Sequence, residues 1–288
     1  MDQAAALSDA ASSRTGLRQT DLRDVFAANR AAGRIALSVA AHDGITRRRD
    51  VYEHGPLRVR FPNVGGRALE AMIVNTAGGI AGGDRHDLEM AVGGGAALTV
   101  TTAAAEKVYR ALEPDAEIAV KLSGAANSRL CWLPQETILF DRARLSRRID
   151  VDLDETASLV MAEAVVFGRS AMGEQVKEGA FTDCWRVRRG GRLVFAETVR
   201  LDGAIAARLN EPAVAGGGIG IATVLAVPGD EAAVERVRAQ AFRGEVGVSA
   251  WNGLAVARLC AKDGAGLRRD LAAVAGALGG VLPRLWLN

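Results

Sequence analysis

Two acidic side chains stand alone in apolar stretches of the sequence, where a carboxylate is unexpected. Glu136 lies in the run Trp132–Phe140, and Glu163 lies in the run Ala162–Arg169. A buried carboxylate is costly unless it is paired or binds a metal, so both are candidate functional groups. One interpretation is the acid and nucleophile pair of a glycosidase. The alternative is a structural carboxylate that reaches water or pairs with Arg169 or Arg129. Arg200 is a further possible partner for Glu163.

A glycine-rich run, Asn75–Asp84, contains two Gly-Gly pairs and invites comparison with phosphate-binding loops. No Lys-Ser or Lys-Thr pair follows it, and the next segment, His86–Val92, has the period of a strand instead of opening a helix. The sequence therefore favours a structural role, in which the backbone adopts positive φ angles or makes a close approach.

Asp84, His86 and Asp87 could supply metal ligands at the end of this run. Strand geometry would place Asp84 and His86 on one face and Asp87 on the other, and one close pair does not make a closed site. The chain has only 3 histidines, too few imidazole groups for a protein that stores a late divalent metal.

No arrangement typical of nucleophilic catalysis is visible. The sequence has no Gly-x-Ser-x-Gly motif, and no cysteine has a histidine nearby in sequence. Cys131, Cys184 and Cys260 are widely spaced and odd in number, which indicates reduced thiols instead of a disulfide framework or a zinc site.

Composition excludes several other classes of protein. The 288 residues carry 36 basic and 34 acidic side chains, a balance that argues against a dedicated nucleic-acid binder. The short run Arg47–Arg49 is interpreted as a solvated strand edge or turn. No apolar segment approaches the roughly 20 residues that span a bilayer, and Met1–Thr20 lacks a secretion-signal pattern. We therefore expect a cytoplasmic protein with no membrane partner.

The elements that must position these groups are mostly strands. Apolar and polar residues alternate with period two in several segments, which include Ile35–Val39, Leu57–Phe61, Leu88–Val92, Ile118–Leu122 and Ile149–Asp154. Two dipeptides predict tight hairpins because they accept positive φ angles. Gly190-Gly191 joins a strand ending at Arg189 to one beginning at Arg192, and Asn252-Gly253 does the same between Trp251 and Leu254.

Helices are predicted mainly near the end of the chain. Asp230 can cap a helix with Val234, Val237 and Ala241 on one stripe. A second helix carries apolar residues at helical spacing and ends near Gly279-Gly280, its stripe being Leu267, Leu271, Val274 and Leu278. A short helix over Leu22–Ala28 is also predicted.

The order of elements disfavours a doubly wound α/β enzyme, because strands follow strands without intervening helices. We predict a flexible N-terminal tail over residues 1–30 and a multi-stranded β body over residues 31–215. Residues 216–288 are predicted to form a smaller α+β portion that packs on the β body.

Four runs together resemble the UreD family of urease accessory proteins, also called UreH. They are Asn75–Asp84, Leu98–Arg110, Trp132–Phe140 and Phe167–Glu174. Their order and spacing also match the family, and the similarity extends from about Leu57 to Val214.

The resemblance implies a mainly β protein with a stacked, β-helix-like body and two helices. It also implies a chaperone that is not an enzyme and that scaffolds an accessory complex on apo-urease. The implied partners are UreF, the GTPase UreG recruited through UreF, and apo-urease. Nickel is implied to pass through a water-filled channel, in transit only, with no cofactor bound tightly.

The resemblance also suggests which acidic positions lie along such a path. Carried over from the family, the best candidates are Asp84, Glu163 and Glu197, with Glu136 behind them. Carboxylate oxygens suit a conduit, because exchangeable ligands release the ion and tight thiolate or imidazole sites would trap it. Lys107 and Tyr109 lie in a shared family motif with no assigned role.

Two alternatives remain open at this point. One is a β-helix-like carbohydrate-active enzyme that uses Glu136 and Glu163. The other is a purely structural adaptor whose polar interior carries no metal.

Overall fold

A computed structural model describes residues 30–63, 65–169 and 172–286 of the chain. Apart from Arg30, the predicted tail lies outside the described residues, as does the predicted helix over Leu22–Ala28. Within the described residues the strands are β1 (Ala32–His42), β2 (Ile45–His54), β3 (Leu57–Arg60), β4 (Leu69–Asn75), β5 (Arg85–Val92), β6 (Ala97–Thr102), β7 (Glu106–Val108), β8 (Ala116–Gly124), β9 (Arg129–Trp132), β10 (Thr137–Leu139), β11 (Arg144–Leu153), β12 (Ser158–Phe167), β13 (Gly179–Arg189), β14 (Arg192–Gly203), β15 (Gly220–Val227), β16 (Glu245–Trp251) and β17 (Leu254–Ala261). The helices are α1 (Ile205–Asn210), α2 (Glu231–Arg238), α3 (Gly264–Ala277) and a 3₁₀ helix, Arg284–Trp286.

The described strands form two sheets. The first has the order β14-β13-β11-β8-β5-β1-β2, and the second has the main order β16-β17-β15-β12-β9-β6-β4-β3, with β10 and β7 attached through β12. The central strands of both sheets are parallel, whereas the outer pairs are antiparallel.

The chain alternates between the sheets as it advances, because β5, β8 and β11 enter the first sheet while β6, β9 and β12 enter the second. Successive coils therefore stack in register. One column of paired residues in the first sheet reads Ile35, Leu88, Val120, Ile149 and Trp185. This solenoid-like arrangement confirms the predicted β-helix-like body.

The main core lies on the facing sides of the two sheets. Period-two alternation turns apolar side chains of each strand inward, so that Ile35, Met90, Leu130 and Ile149 are completely buried. Trp132 and Trp185 belong to the same cluster. Burial of this continuous apolar interior is the main stabilising contribution to a stack of short strands.

Both predicted hairpins are confirmed. Gly190 and Gly191 have φ angles of 55° and 73°, and they connect β13 to β14. Asn252 and Gly253 have φ angles of 51° and 76°, and they connect β16 to β17. Positive φ at both central residues is the requirement that made these dipeptides informative.

The two predicted C-terminal helices are also confirmed. Helix α2 ends at Arg238, however, so Ala241, which was predicted on its apolar stripe, lies beyond the helix and is exposed. The Asp230 side chain caps α2 by accepting from the Ala233 amide at 2.9 Å, and Asp263 caps α3 by accepting from the Gly266 amide at 2.7 Å. Helix α1 was not predicted, because it has six residues and its N-cap, Ala204, makes no side-chain capping bond.

The C-terminal strands continue the second sheet, since β15 pairs with β12 in the antiparallel sense. Helices α2 and α3 cover the outer side of these strands, where Val237, Leu267 and Val274 join a second apolar cluster. The predicted division of the chain near residue 215 stays a prediction. None of the helices in the described part of the chain is long and apolar enough to cross a membrane.

The first sheet ends at β2, which carries the run Arg47–Arg49. All three arginines are exposed on this outermost strand. The interpretation of the run as a solvated strand edge is therefore confirmed.

Candidate functional site

A cavity of about 670 Å³ is lined by strands of both sheets and by α1. Most of its wall is apolar, but four carboxylates and two arginines also line it. These charged residues are Glu163, Asp183, Glu197, Glu245, Arg147 and Arg258. A largely apolar pocket with a few convergent polar groups is the usual form of a binding site.

The deepest charged group is a guanidinium that the strand pattern turns inward. Arg147 lies in phase with buried Leu145 and Ile149 on β11, so the pleat directs all three to the same side. Asp183 is its direct neighbour in the parallel register of β13. Glu163 approaches from β12 of the other sheet, and the three side chains meet inside the protein.

Hydrogen bonds connect the three groups closely. Arg147 donates from Nε to Oδ1 of Asp183 at 3.0 Å and from Nη2 to Oδ2 at 2.6 Å, a bidentate pair. Its Nη1 donates to Oε2 of Glu163. The indole Nε1 of Trp132 donates to the other oxygen, Oε1 of Glu163, at 2.8 Å. Both oxygens of Glu163 therefore have a partner.

The environment of this cluster shifts the pKa values of Glu163 and Arg147 for different reasons. Burial raises the pKa of Glu163 to about 7, and the neighbouring charge of Asp183 adds to the rise, while Arg147 and the bond from Trp132 oppose it. Burial alone would lower the pKa of Arg147, but Asp183 and Glu163 raise it above its ordinary value. Arg147 is thus permanently charged and paired first with Asp183, and Glu163 is the carboxylate that can hold a proton near neutral pH.

This pKa predicts a pH dependence of stability. Because the pKa of Glu163 in the folded chain exceeds its ordinary value of 4.5, its contribution to stability is fully present below that value. The contribution is lost as pH rises through about 7 and is on the order of 3 kcal/mol. We expect the free energy of unfolding in urea to fall from about pH 5 to about pH 8, and to fall less in Glu163→Gln.

Glu117→Gln is the matched control, because Glu117 is an exposed carboxylate on β8 that pairs with Arg85 at 3.1 Å. It should retain the pH slope of the unsubstituted chain. Equal slopes in Glu163→Gln and Glu117→Gln would contradict the assignment.

Glu197 lies nearer to solvent on the wall of the same cavity. It pairs with Arg258 at 2.6 Å, and the side chains are 18% and 51% exposed, respectively. Arg258 also donates to Oγ1 of Thr223 at 3.3 Å. The cavity therefore extends from the fully buried Glu163 to a charged pair at the surface.

Asp84 lies elsewhere and closes the glycine-rich run. Its Oδ1 accepts from the amide of Ala31 and its Oδ2 from the amide of Ala81, both at 2.8 Å. Asp84 and His86 are buried while Asp87 is exposed, which is the predicted distribution of faces. Asp84 does not line the cavity of Glu163 and Glu197, and its place on a nickel path stays a prediction.

The glycine-rich run needs its glycines for the predicted structural reason. Gly78 and Gly83 have φ angles of 77° and 85°. A side chain at Gly79 would come within 2.5 Å of the Tyr109 ring. Tyr109 also donates its hydroxyl to the Gly78 carbonyl at 2.9 Å, and the Lys107 carbonyl accepts from the Ile80 amide at 2.7 Å. The segment that holds Lys107 and Tyr109 thus supports the run.

The ion pairs proposed for the lone carboxylates are wrong. Glu136 pairs with Arg268 of α3 at 2.5 Å, Glu163 with Arg147, and Glu197 with Arg258. Arg169 and Arg200 instead pair with nearer acids, Glu174 at 2.7 Å and Asp202 at 3.5 Å. The true partners lie on other strands or on a helix, so distance along the sequence did not indicate them.

Arg147 and Asp183 were missed as site residues, although the sequence carries a signal for both. Each is a charged residue in phase with inward-facing apolar neighbours, as Asp183 is with Phe181 and Trp185 on β13. A charge on the inward face of an alternating strand indicates a buried ion pair or a lined cavity.

The donors at this site are carboxylate oxygens, together with the thiol of Cys260 on the wall. Among residues 30–63, 65–169 and 172–286, no three or more His, Cys, Asp or Glu side chains group so as to hold a metal ion. Three of the four carboxylates of the cavity, Glu163, Asp183 and Glu197, are each paired with an arginine.

Stacked parallel strands with a charged cavity between the two sheets define the chain as a solenoid-like β protein. A family model described as UreD urease accessory protein matches residues 31–287. The chain belongs to the UreD family of urease accessory proteins, which are chaperones and not enzymes. The interpretation of Glu136 and Glu163 as a glycosidase pair is therefore not retained.

Similar proteins cover nearly the whole chain. A urease accessory protein UreD of Rhodopseudomonas palustris (strain BisA53) is 59% identical over 266 residues, which are 92% of this chain and 93% of that protein. The UreD of R. palustris (strain BisB18) is 60% identical over 272 residues, 93% and 98% of the two chains. The UreD of Bradyrhizobium diazoefficiens is 59% identical over 266 residues, 92% and 96%.

Proposed function

We propose that this chain is a urease maturation chaperone that scaffolds the accessory complex on apo-urease and passes nickel toward the urease active site. In this proposal UreF binds the chain, the GTPase UreG joins through UreF, and the assembly works in the cytoplasm. Nickel is cargo in transit and not a resident cofactor. Membership of the UreD family supports the role in urease maturation.

The observation that carries the nickel path is the cavity with its carboxylates. Glu163 lies at its buried end, within an otherwise largely apolar strand, and Glu197 lies near its exposed end on the more polar β14. A hydrated divalent cation that leaves bulk water needs ligands that replace part of its hydration shell. Carboxylates spaced along the path supply such ligands without forming a closed site.

A second candidate is a structural adaptor that carries no metal. The observation in its favour is that both oxygens of Glu163 already have partners in Arg147 and Trp132. In this view the charged cluster is a structural ion-pair network, and the carboxylates matter only for folding and assembly.

Replacing the two carboxylates by leucine separates the candidates. We expect the double variant Glu163→Leu/Glu197→Leu to lower the nickel content of urease several-fold while the accessory complex still assembles. The leucines remove both ligands and dewet the path, whereas Arg147 keeps its bidentate partner Asp183 and so remains neutralised. Conservative Glu→Asp changes should have a milder effect.

The experiment combines capture on tagged urease with elemental analysis of nickel per urease site. Glu117→Leu serves as the matched control, because Glu117 is exposed on the first sheet and does not line the cavity. If capture and nickel content fall together, and the complexes that do assemble are fully active, the adaptor is correct and the nickel path is not.

A further inference from the structure

Arg147 is the unusual member of the cavity. A path for a divalent cation would be expected to avoid fixed positive charge, yet the side chain of Arg147 is only 3% exposed and lies at the deep end between two carboxylates. Its ring neighbour is Phe181, whose centroid lies 6.0 Å from the guanidinium carbon. The positive charge of Arg147 is compensated within the protein by the carboxylates of Glu163 and Asp183, which explains how the side chain can be buried.

The guanidinium of Arg147 occupies the space between the two carboxylates. Its two edges bind Asp183 in a bidentate pair and Glu163 through a single nitrogen, and Nη1 also donates to Oγ1 of Thr137 at 3.4 Å. Glu163 and Asp183 thus point at a common centre from opposite sheets. Two carboxylates that converge in a low-dielectric interior would otherwise be a strong site for a divalent cation.

We propose that Arg147 is the resident counter-cation of the cavity. Its guanidinium occupies the position between Glu163 and Asp183 and keeps the affinity of these two carboxylates for divalent cations low. The inference rests on the proposed function, because it explains how buried carboxylates can line a nickel path without trapping the ion. Arg147 acts through the two acids and is a positioning residue. It sets the strength of their binding and does not itself bind the cargo.

The second arginine is arranged differently. Arg258 pairs with Glu197 at the exposed end, where both side chains reach solvent and water screens the charges. Removing its charge should change cation affinity much less than removing that of Arg147. Glu245, the remaining carboxylate of the wall, is exposed at the start of β16.

The test measures binding of Ni²⁺ alone to the purified full-length chain by isothermal titration calorimetry, with no urease present. We expect Arg147→Gln, which removes the charge and keeps hydrogen-bond donors, to bind one Ni²⁺ with a Kd about tenfold or more below that of the unsubstituted chain. Arg147→Lys should behave like the unsubstituted chain. A general weakening of the fold would lower the affinity for Ni²⁺ or leave it unchanged. A higher affinity for Ni²⁺ in Arg147→Gln therefore identifies Arg147 as the counter-cation.

Two controls complete the design. The triple variant Arg147→Gln/Glu163→Gln/Asp183→Asn should lose the gained site, and Arg258→Gln should gain little. If Arg147→Gln fails to fold, Arg147→Met is measured in its place. Ni²⁺ should replace the missing positive charge and restore folding, so the proposal is overturned if neither variant folds at any nickel concentration. The proposal is also overturned if a folded Arg147 variant binds Ni²⁺ no more tightly than the unsubstituted chain, or if the triple variant keeps the higher affinity.

These outcomes are independent of the nickel path itself. Unchanged nickel content of urease in Glu163→Leu/Glu197→Leu would refute the proposed path, whatever the affinity of Arg147→Gln. If the nickel content of urease falls in Glu163→Leu/Glu197→Leu but Arg147→Gln gains no affinity for Ni²⁺, only the role of Arg147 as counter-cation is refuted.

Discussion

In cells that lack this chain, urease subunits are expected to accumulate at normal levels as the apo-enzyme, and urease activity is expected to fall to background. The expectation follows from the family to which the chain belongs and from the proposed delivery of nickel through its cavity. The loss should be nearly complete, because the proposed delivery of nickel precedes any turnover by urease. The measurements are urease activity, subunit abundance by immunoblot and nickel per purified urease site.

Complementation provides the controls for this experiment. The unsubstituted chain should restore nickel content and activity together, and the Glu117→Leu variant should do the same. Normal nickel content in urease purified from the deletion strain would contradict the proposed function. Loss of the urease subunits themselves would indicate a role in subunit stability instead of metal delivery.

The largest expected effect on stability comes from Phe181, which joins the core to the charged cavity. Its side chain is 1% exposed, and its ring packs edge-to-face against Phe167 at a centroid distance of 6.2 Å. We expect Phe181→Ala to lower the free energy of unfolding by about 3–5 kcal/mol, because it removes buried apolar surface and leaves a void beside Arg147. Urea denaturation followed by tryptophan fluorescence measures the change.

Two substitutions calibrate this result. Phe181→Leu retains much of the buried volume and should cost clearly less than Phe181→Ala. Leu193→Ala removes an apolar side chain that is 53% exposed on β14, and it should change stability by about 0.5 kcal/mol or less. A loss in Phe181→Ala no larger than that in Leu193→Ala would show that the Phe167–Phe181 cluster is not a stabilising part of the core.

Local patterns were sufficient to predict many of the strands, both hairpins and the two longer helices, but not β2, whose side chains are almost all exposed and do not alternate. The turn at Asn252-Gly253 depends on the backbone freedom of two adjacent residues, and the start of α2 depends on the side chain of Asp230 and an amide three positions later. Such features are decided within a few residues. Helix α1 was missed for the converse reason, since its six residues are held by buried Ile205 and Leu209 and not by a capping side chain.

The candidate site was predictable only in part, because its contacts are long-range. Glu163 and Glu197 were selected from the sequence and do line one cavity. The partner of Glu163 lies 16 residues away in sequence and that of Asp183 lies 36 residues away, at distances that depend on how the coils stack. Alternation reveals that Arg147 faces inward, but the stacking of β11 on β13 decides which acid it meets.

The exposed arginines of β2 have a consequence for how copies of this chain behave toward one another. A stack of parallel coils has no natural end, because each outer strand can pair with a strand of another molecule. The outermost strand of the first sheet is antiparallel to its neighbour and displays Arg47, Arg48 and Arg49 to solvent. A second copy that approached by the same edge would bring the two arginine runs together, and their repulsion opposes growth into a filament. The arginine run therefore disfavours pairing of two copies of this chain through β2 in this register.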